Sequence, residues 1–251
     1  MMTILSFLKY LNSRNSEDCN DGQFDNLTKK QVLTQNHTVT FGPTLTNFQD
    51  KINPYLQYAT AIRLLNDQSV TNKSQAIILL ETVAPSNNEA AYNLAHILAS
   101  GYYLNRTKQI IDQIDPDRAF YWCKMAADNY YPNALTLLAS FYSNGFGVEM
   151  DQEMAIELYK IAASRGELDA LYIMGCIFHY GSGRIAVDKK KAVTYYTESF
   201  RGGHLEATFV LADFYQRGDT VEQDNFKAFC LYRAAARKGH VSAQQKLDEC
   251  Y

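Results

Sequence analysis

What most constrains the fold of this chain is a pattern that returns four times in its last two thirds. Each occurrence opens on an alanine (Ala90, Ala134, Ala170, Ala207) and has a leucine or methionine four residues on (Leu94, Leu138, Met174, Leu211). A small residue follows (Ala95, Ala139, Gly175, Ala212), and six residues later comes a glycine (Gly101, Gly145, Gly181, Gly218). Ala134, Ala170, Ala207 and Ala243 are separated by 36, 37 and 36 residues. A fixed period of this size marks a helical solenoid, whose units bury their apolar faces only by stacking on one another.

The residue types say how each unit is built. Small residues let two helix backbones approach, and the larger neighbours fill the ridges and grooves beside them. The glycines suit helix ends, where a left-handed residue closes the hydrogen-bond ladder. A second helix follows in each unit, because Asp115, Asp151, Asp188 and Asp224 each lie four residues before an alanine (Ala119, Ala155, Ala192, Ala228). Asn72 lies four before Ala76 in the same way. Asp and Asn cap helix N-termini, since the side-chain oxygen accepts from a first-turn amide, so these residues read as caps and not as acid/base or metal-binding groups. An aromatic residue with a small pair then recurs: Trp122 with Ala126 and Ala127, Tyr159 with Ala162 and Ala163, Tyr196 with Ser199 and Phe200, Tyr232 with Ala235 and Ala236. Gly166, Gly203 and Gly239 close the second helices, and Tyr130 and Asn87 stand in that place in the less regular units.

Around the repeats the chain divides into three parts. Residues 1–53, rich in Asn, Thr, Ser and Gln, read as an irregular or partly disordered arm with a weak amphipathic segment at Ile4, Leu5, Leu8 and Leu11. Residues 54–89 read as a degenerate helical pair, with Pro54 at a first helical position and a second helix from Ser74. Residues 90–251 are the solenoid proper.

Composition excludes several classes of function. A formal charge of -3 draws in neither nucleic acid nor an anionic membrane, and Lys189, Lys190 and Lys191 read as a solvated face. The apolar start lacks the basic region and cleavage site of a signal peptide, and no run is long enough to span a membrane. Five cysteines without a CxxC pair fit a reducing cytoplasm.

The string Ala-x3-Leu-small-x2-Tyr-x2-Gly-x-Gly-Val-x2-Asp-x3-Ala-x3-Tyr-x2-Ala-Ala-x2-Gly-x3-Ala resembles the Sel1-like repeat. It is best matched at Ala134, Leu138, Tyr142, Gly145, Gly147, Val148, Asp151, Ala155, Tyr159, Ala162, Ala163, Gly166 and Ala170. The resemblance covers about residues 90 to 251 and implies an all-α, right-handed solenoid of antiparallel helix pairs (a Sel1-like, TPR-like superhelix) acting as an adaptor without catalysis or cofactor. The chain departs from the pattern in two places. The unit at Ala90 carries about eight extra residues, around Tyr102 to Ile114, and the unit at Ala170 has Ser199-Phe200 in place of Ala-Ala.

Chemical motifs are sparse. Gly181-Ser182-Gly183-Arg184-Ile185-Ala186 formally matches a dinucleotide fingerprint but occupies the same inter-helix position as Gly145-Phe146-Gly147, with no preceding strand. His204 and His240 recur 36 apart after helix-ending glycines, as repeat residues do and ligand pairs do not. No metal-spaced Cys/His cluster, phosphate loop or nucleophile elbow is present in the sequence.

A partner surface is therefore the leading expectation. Positions two, six and nine after each opening alanine lie opposite its buried face. They supply the candidate partner-binding residues Tyr92, His96, Thr136, Ser140, Tyr172, His179, Phe209, Asp213 and Gln216, with Ala99, Ser143 and Cys176 beside them. The expected function is a cytoplasmic protein–protein interaction scaffold, a bacterial regulator or immunity-type protein being one form, that binds another protein on its concave face. Two other readings stand beside the open groove: curvature buries this face against the neighbouring helix, or the N-terminal arm lies in it. The alternative function is an enzyme or cell-wall-associated hydrolytic factor built on the same repeats.

Overall fold

The computed structural model describes residues 54–66, 70–100 and 114–248. The expected arm at 1–53 and insertion at 102–114 lie outside the described residues, apart from Ile114. Eleven α-helices occur among the described residues: α1 (Pro54–Leu65), α2 (Val70–Val83), α3 (Asn88–Ser100), α4 (Pro116–Asp128), α5 (Pro132–Asn144), α6 (Gln152–Ser164), α7 (Leu168–Tyr180), α8 (Lys189–Arg201), α9 (Leu205–Arg217), α10 (Asn225–Arg237) and α11 (Val241–Asp248). A short 3-10 turn (Ala84–Ser86) joins α2 to α3. Each helix packs chiefly on its neighbours in sequence. The result is a solenoid of antiparallel helix pairs, all-α as expected.

The caps form where the sequence places them. Asp115 Oδ1 accepts from the Arg118 amide at 3.1 Å, Asp151 from Met154 at 2.9 Å, Asp188 from Lys191 at 3.1 Å and Asp224 from Lys227 at 2.8 Å. The same four residues do a second job. Their own backbone N–H groups donate back to Leu98, Tyr142, Phe178 and Tyr215, each eight residues after the opening alanine, at 2.7 to 3.0 Å. Each aspartate thus starts the second helix and staples it to the first. The staple from Asp115 to Leu98 is intact, so the extra residues of that unit leave its hairpin closed.

Three expectations need correction. Helix α2 begins at Val70, so Asn72 lies inside it and is not its cap, and the helix does not wait for Ser74. In the first full repeat the slot eight residues after the capping aspartate, filled by Tyr159, Tyr196 and Tyr232 elsewhere, holds the fully buried Cys123, while Trp122 sits one residue off it, partly buried. The core is otherwise as read: Ala90, Ala134, Ala170, Ala207, Leu94, Met174 and Leu211 are all buried.

Candidate functional site

The positions singled out for binding are half-buried or buried, and most of them meet a partner inside the molecule. Position two of each first helix faces the residue that caps the first helix of the next unit. Tyr92 meets Tyr131 with ring centroids 5.7 Å apart. Thr136 Oγ1 donates to Glu167 Oε2 at 2.8 Å. Tyr172 stacks on His204 at 4.7 Å and 20°, and Phe209 on His240 at 4.5 Å and 17°.

Position six turns towards the second helix of its own unit. The Tyr196 hydroxyl donates to Cys176 Sγ at 3.4 Å, and the Tyr232 hydroxyl donates to the Asp213 carboxylate. Ser140 bonds only its own helix, donating to the Leu137 carbonyl at 2.8 Å. His96 has no such partner: its Nε2 is buried and makes no hydrogen bond, and the slot that holds a tyrosine in the other three units holds Cys123 here. At position nine, His179 Nδ1 lies 3.4 Å from the Tyr196 hydroxyl and its ring 4.9 Å from Phe214. Gln216 Oε1 lies 2.9 Å from the same Tyr232 hydroxyl. Among the nine candidates His96, Thr136 and Ser140 are buried, while Tyr92, Tyr172, His179, Phe209, Asp213 and Gln216 keep part of their surface in solvent.

The cap residues themselves were missed as caps. Asn87, Glu167, His204 and His240 each lie three residues before an opening alanine and accept from its amide, at 3.0, 2.6, 3.1 and 3.1 Å. The signal was available in the spacing, since four of the five residues at this offset carry a side-chain acceptor at neutral pH and Tyr131, the fifth, makes no cap bond. Because His204 Nδ1 accepts from Ala207, the ring proton is assigned to Nε2, which lies 3.1 Å from Asp169 Oδ1. Glu206 Oε2 lies 3.5 Å from Nδ1, buried and without a hydrogen bond.

Burial sets the acid–base character of this interior. It holds the His96 imidazole down at about 4, and it raises the Glu167 carboxyl, with the Asp169 charge acting in the same direction. Burial also raises the Cys123 and Cys176 thiols, so neither is an activated nucleophile. Among the described residues no group of three or more His, Cys, Asp or Glu side chains is arranged to hold a metal ion. No described helix is long and apolar enough to cross a membrane.

A family model described as Sel1 repeat matches residues 88–131, 132–167, 168–204 and 205–240, with boundaries that fall at the cap residues. The chain belongs to the Sel1 repeat family. Chitin synthase regulatory factor 2 of Schizosaccharomyces pombe is 29% identical over 181 residues, which is 69% of this chain and 35% of that protein. Chitin synthase regulator SKT5 of Saccharomyces cerevisiae is 30% identical over 193 residues, 72% of this chain and 26% of that protein. This Sel1 repeat chain therefore spans only 35% and 26% of the length of these two relatives. Among solved structures, a Sel1 repeat protein from Oxalobacter formigenes superposes with a TM-score of 0.69 at 25% identity, over 79% of this chain and 78% of the other. Immunity protein Pa5087 from Pseudomonas aeruginosa, 20% identical with a TM-score of 0.54 over 82% of this chain and 70% of its own, shares the fold.

Proposed function

We propose that this Sel1 repeat chain is a non-catalytic, cytoplasmic adaptor that holds a partner protein against its first helices and regulates it. The observation that carries the reading is the pair of yeast relatives. Both are named as regulators of a chitin synthase, and both match about seven tenths of this chain, a stretch of the size of its repeat stack. Cys123, Cys176 and Cys230 are unpaired thiols, which supports a reducing compartment.

The partner surface is the concave side lined by Tyr172, His179, Phe209, Asp213 and Gln216, at whose margin aromatic area reaches solvent. His179 and Tyr180 stack at 4.3 Å, and Tyr180 is 73% exposed. Exposed aromatics beside half-buried polar groups are the composition of interface anchors. Tyr92, His96, Thr136 and Ser140 belong to the wall behind this surface and would act by shaping it.

The test is a stoichiometric pull-down with the intact chain and with a His179→Ala plus Tyr180→Ser variant. Loss of the partner with unchanged helical content and melting temperature supports this surface. Full retention of the partner overturns it, and turnover abolished by His179→Ala with the fold intact would overturn the non-catalytic reading.

A further inference from the structure

The expectation that a formal charge of -3 leaves an anionic membrane without attraction treats the charge as evenly spread, and the fold segregates it. Residues two, six, nine and thirteen positions after each capping aspartate follow the i, i+4, i+7, i+11 line of one helical face. On α10 that line is Phe226, Cys230, Arg233 and Arg237, opposite the buried Ala228, Leu231 and Ala235. It is the outer face of the second-helix layer, and its charge reverses along the stack. Asp117, Lys124 and Asp128 leave it one net negative charge on α4, and Glu153, Glu157 and Lys160 leave it one on α6. On α8 it carries Lys190 and Arg201, and on α10 Arg233 and Arg237, with no acid on either line. The charges on α6 are met in place, by Lys160 on Glu157 at 2.6 Å and Arg184 on Glu153 at 2.9 Å. Lys190, Arg201, Arg233 and Arg237 are exposed, and none of them is ion-paired among the described residues. Glu198, the one acidic residue within α8 and α10, is on the side of α8 turned to α6, where it lines a groove with Lys160 and Thr194.

We propose that the outer face of α8 and α10 seats this chain on the anionic headgroups of a lipid bilayer. The contact is peripheral, since no described helix is long and apolar enough to cross a membrane. Lys190 and Arg201 are eleven residues apart on α8. That is about 16 Å of helix, so the cations are spread over a surface and do not converge on a single phosphate. Phe226, on the same face, is 78% exposed, an apolar side chain that a bilayer interface takes up and water does not. Basic side chains with a bare aromatic among them are the composition of an interfacial anchor. A nucleic acid calls for Asn or Gln side chains at base edges or for successive stacking rings, and this face has neither.

The test is sedimentation of the full chain with vesicles of phosphatidylcholine alone and of an equal mixture with phosphatidylserine. The parent should bind the mixed vesicles, release them as salt is raised, and leave pure phosphatidylcholine alone. Each cation near such a surface changes affinity roughly fivefold, so Arg233→Gln plus Arg237→Gln should weaken binding about 25-fold. Lys190→Gln plus Arg201→Gln, on the other helix, should weaken it by as much, and Phe226→Ser by less. Lys124→Gln plus Lys160→Gln removes the same charge from the same layer outside the patch and should leave binding unchanged. All these side chains are exposed, and an unchanged thermal melt keeps loss of binding apart from loss of fold. A parent that does not bind the mixed vesicles overturns the proposal. So does an equal loss in the Lys124→Gln plus Lys160→Gln variant, which would make net charge and not this face responsible. Binding of polyuridylate that the arginine substitutions abolish, with vesicles left unbound, would make a nucleic acid the occupant and overturns it too. Vesicle binding is read without a partner protein, so its failure leaves the concave surface proposed above standing.

Discussion

The first two full repeats and the last two use the same backbone with different internal wiring. In the last two, an aromatic at position two stacks on the histidine cap of the next first helix, and a tyrosine hydroxyl reaches position six. In the first, Tyr92 meets a tyrosine that makes no cap bond, and His96 is buried with Nε2 unbonded. In the second, a hydroxyl–carboxylate pair, Thr136 with Glu167, does the work of the ring stack. The difference teaches that these positions vary between units because they vary in pairs. Much of the diversity along the stripe is accounted for by packing between neighbours, and what is left for a partner is the exposed margin.

The largest expected effect concerns the turn glycines of the second and third repeats. Gly147 and Gly183 occupy the same place and both have positive φ, 66° and 57°. A Cβ on Gly147 would lie 2.1 Å from the Pro116 carbonyl oxygen of α4, whereas on Gly183 its nearest neighbour is Ile156 Cδ1 at 3.7 Å. Gly147→Ala should therefore cost about 4 kcal/mol, overpacking added to left-handed strain, and Gly183→Ala about 1 kcal/mol, strain alone. Urea midpoints for the two variants check this, and equal costs would show that the second repeat is not pressed on the first.

The next effect isolates His96. Burial favours its neutral form, so the folded pKa of about 4 lies below the ordinary value of 6.5. Above pH 6.5 both states are neutral and stability is full. As pH falls below 6.5 the unfolded chain takes the proton first, and stability drops until the folded histidine also protonates near 4. The loss amounts to about 3 kcal/mol over that window. Glu167, raised by burial, works with the opposite sign, gaining stability as pH falls through its folded value. Subtracting a His96→Leu variant from the parent cancels Glu167 and leaves the histidine. A parent-minus-variant difference that is flat from pH 7 to 4 would mean the His96 ring finds a partner.

Much of this was legible in advance because it is local. The period, the aspartate caps and the positive-φ glycines follow from helix-end chemistry, which four or five residues specify. What was not legible depends on the next unit along. Position two looks exposed on a single helical wheel because the wheel holds no neighbour, yet the cap residue 31 to 39 positions later covers it, as His204 covers Tyr172 and Tyr131 covers Tyr92. His204 and His240 read in the sequence as repeat residues and not as caps because the usual N-cap acceptors are oxygens, though a neutral imidazole nitrogen serves as well. Trp122 drew attention by size, while register awarded the buried slot to Cys123. Tyr130 takes the place and the backbone of the helix-closing glycines, with φ of 58°, whereas Asn87, expected in the same place, is extended at φ −140° and caps α3 instead.

The smallest effect is the one that tests paired variation directly. A double-mutant cycle on Tyr172→Ala and His204→Ala should give a coupling of about 1 kcal/mol, the worth of a stacked ring pair beyond its burial. His204 also faces Asp169 and caps Ala207, but those losses occur in the single variant and cancel in the cycle. The transplant is sharper. Thr136→Tyr alone places a ring against the Glu167 carboxylate and removes the hydroxyl that satisfies it, so it should destabilise. Adding Glu167→His recreates the Tyr172–His204 arrangement one repeat earlier, with the imidazole still able to cap α7, and should return about 1 kcal/mol. If the two substitutions in the second repeat are additive within about 0.3 kcal/mol, the ring and cap do not form a unit. The stripe would then vary for reasons outside the stack, and the whole first-helix face, not its margin alone, would become the surface to search for partner contacts.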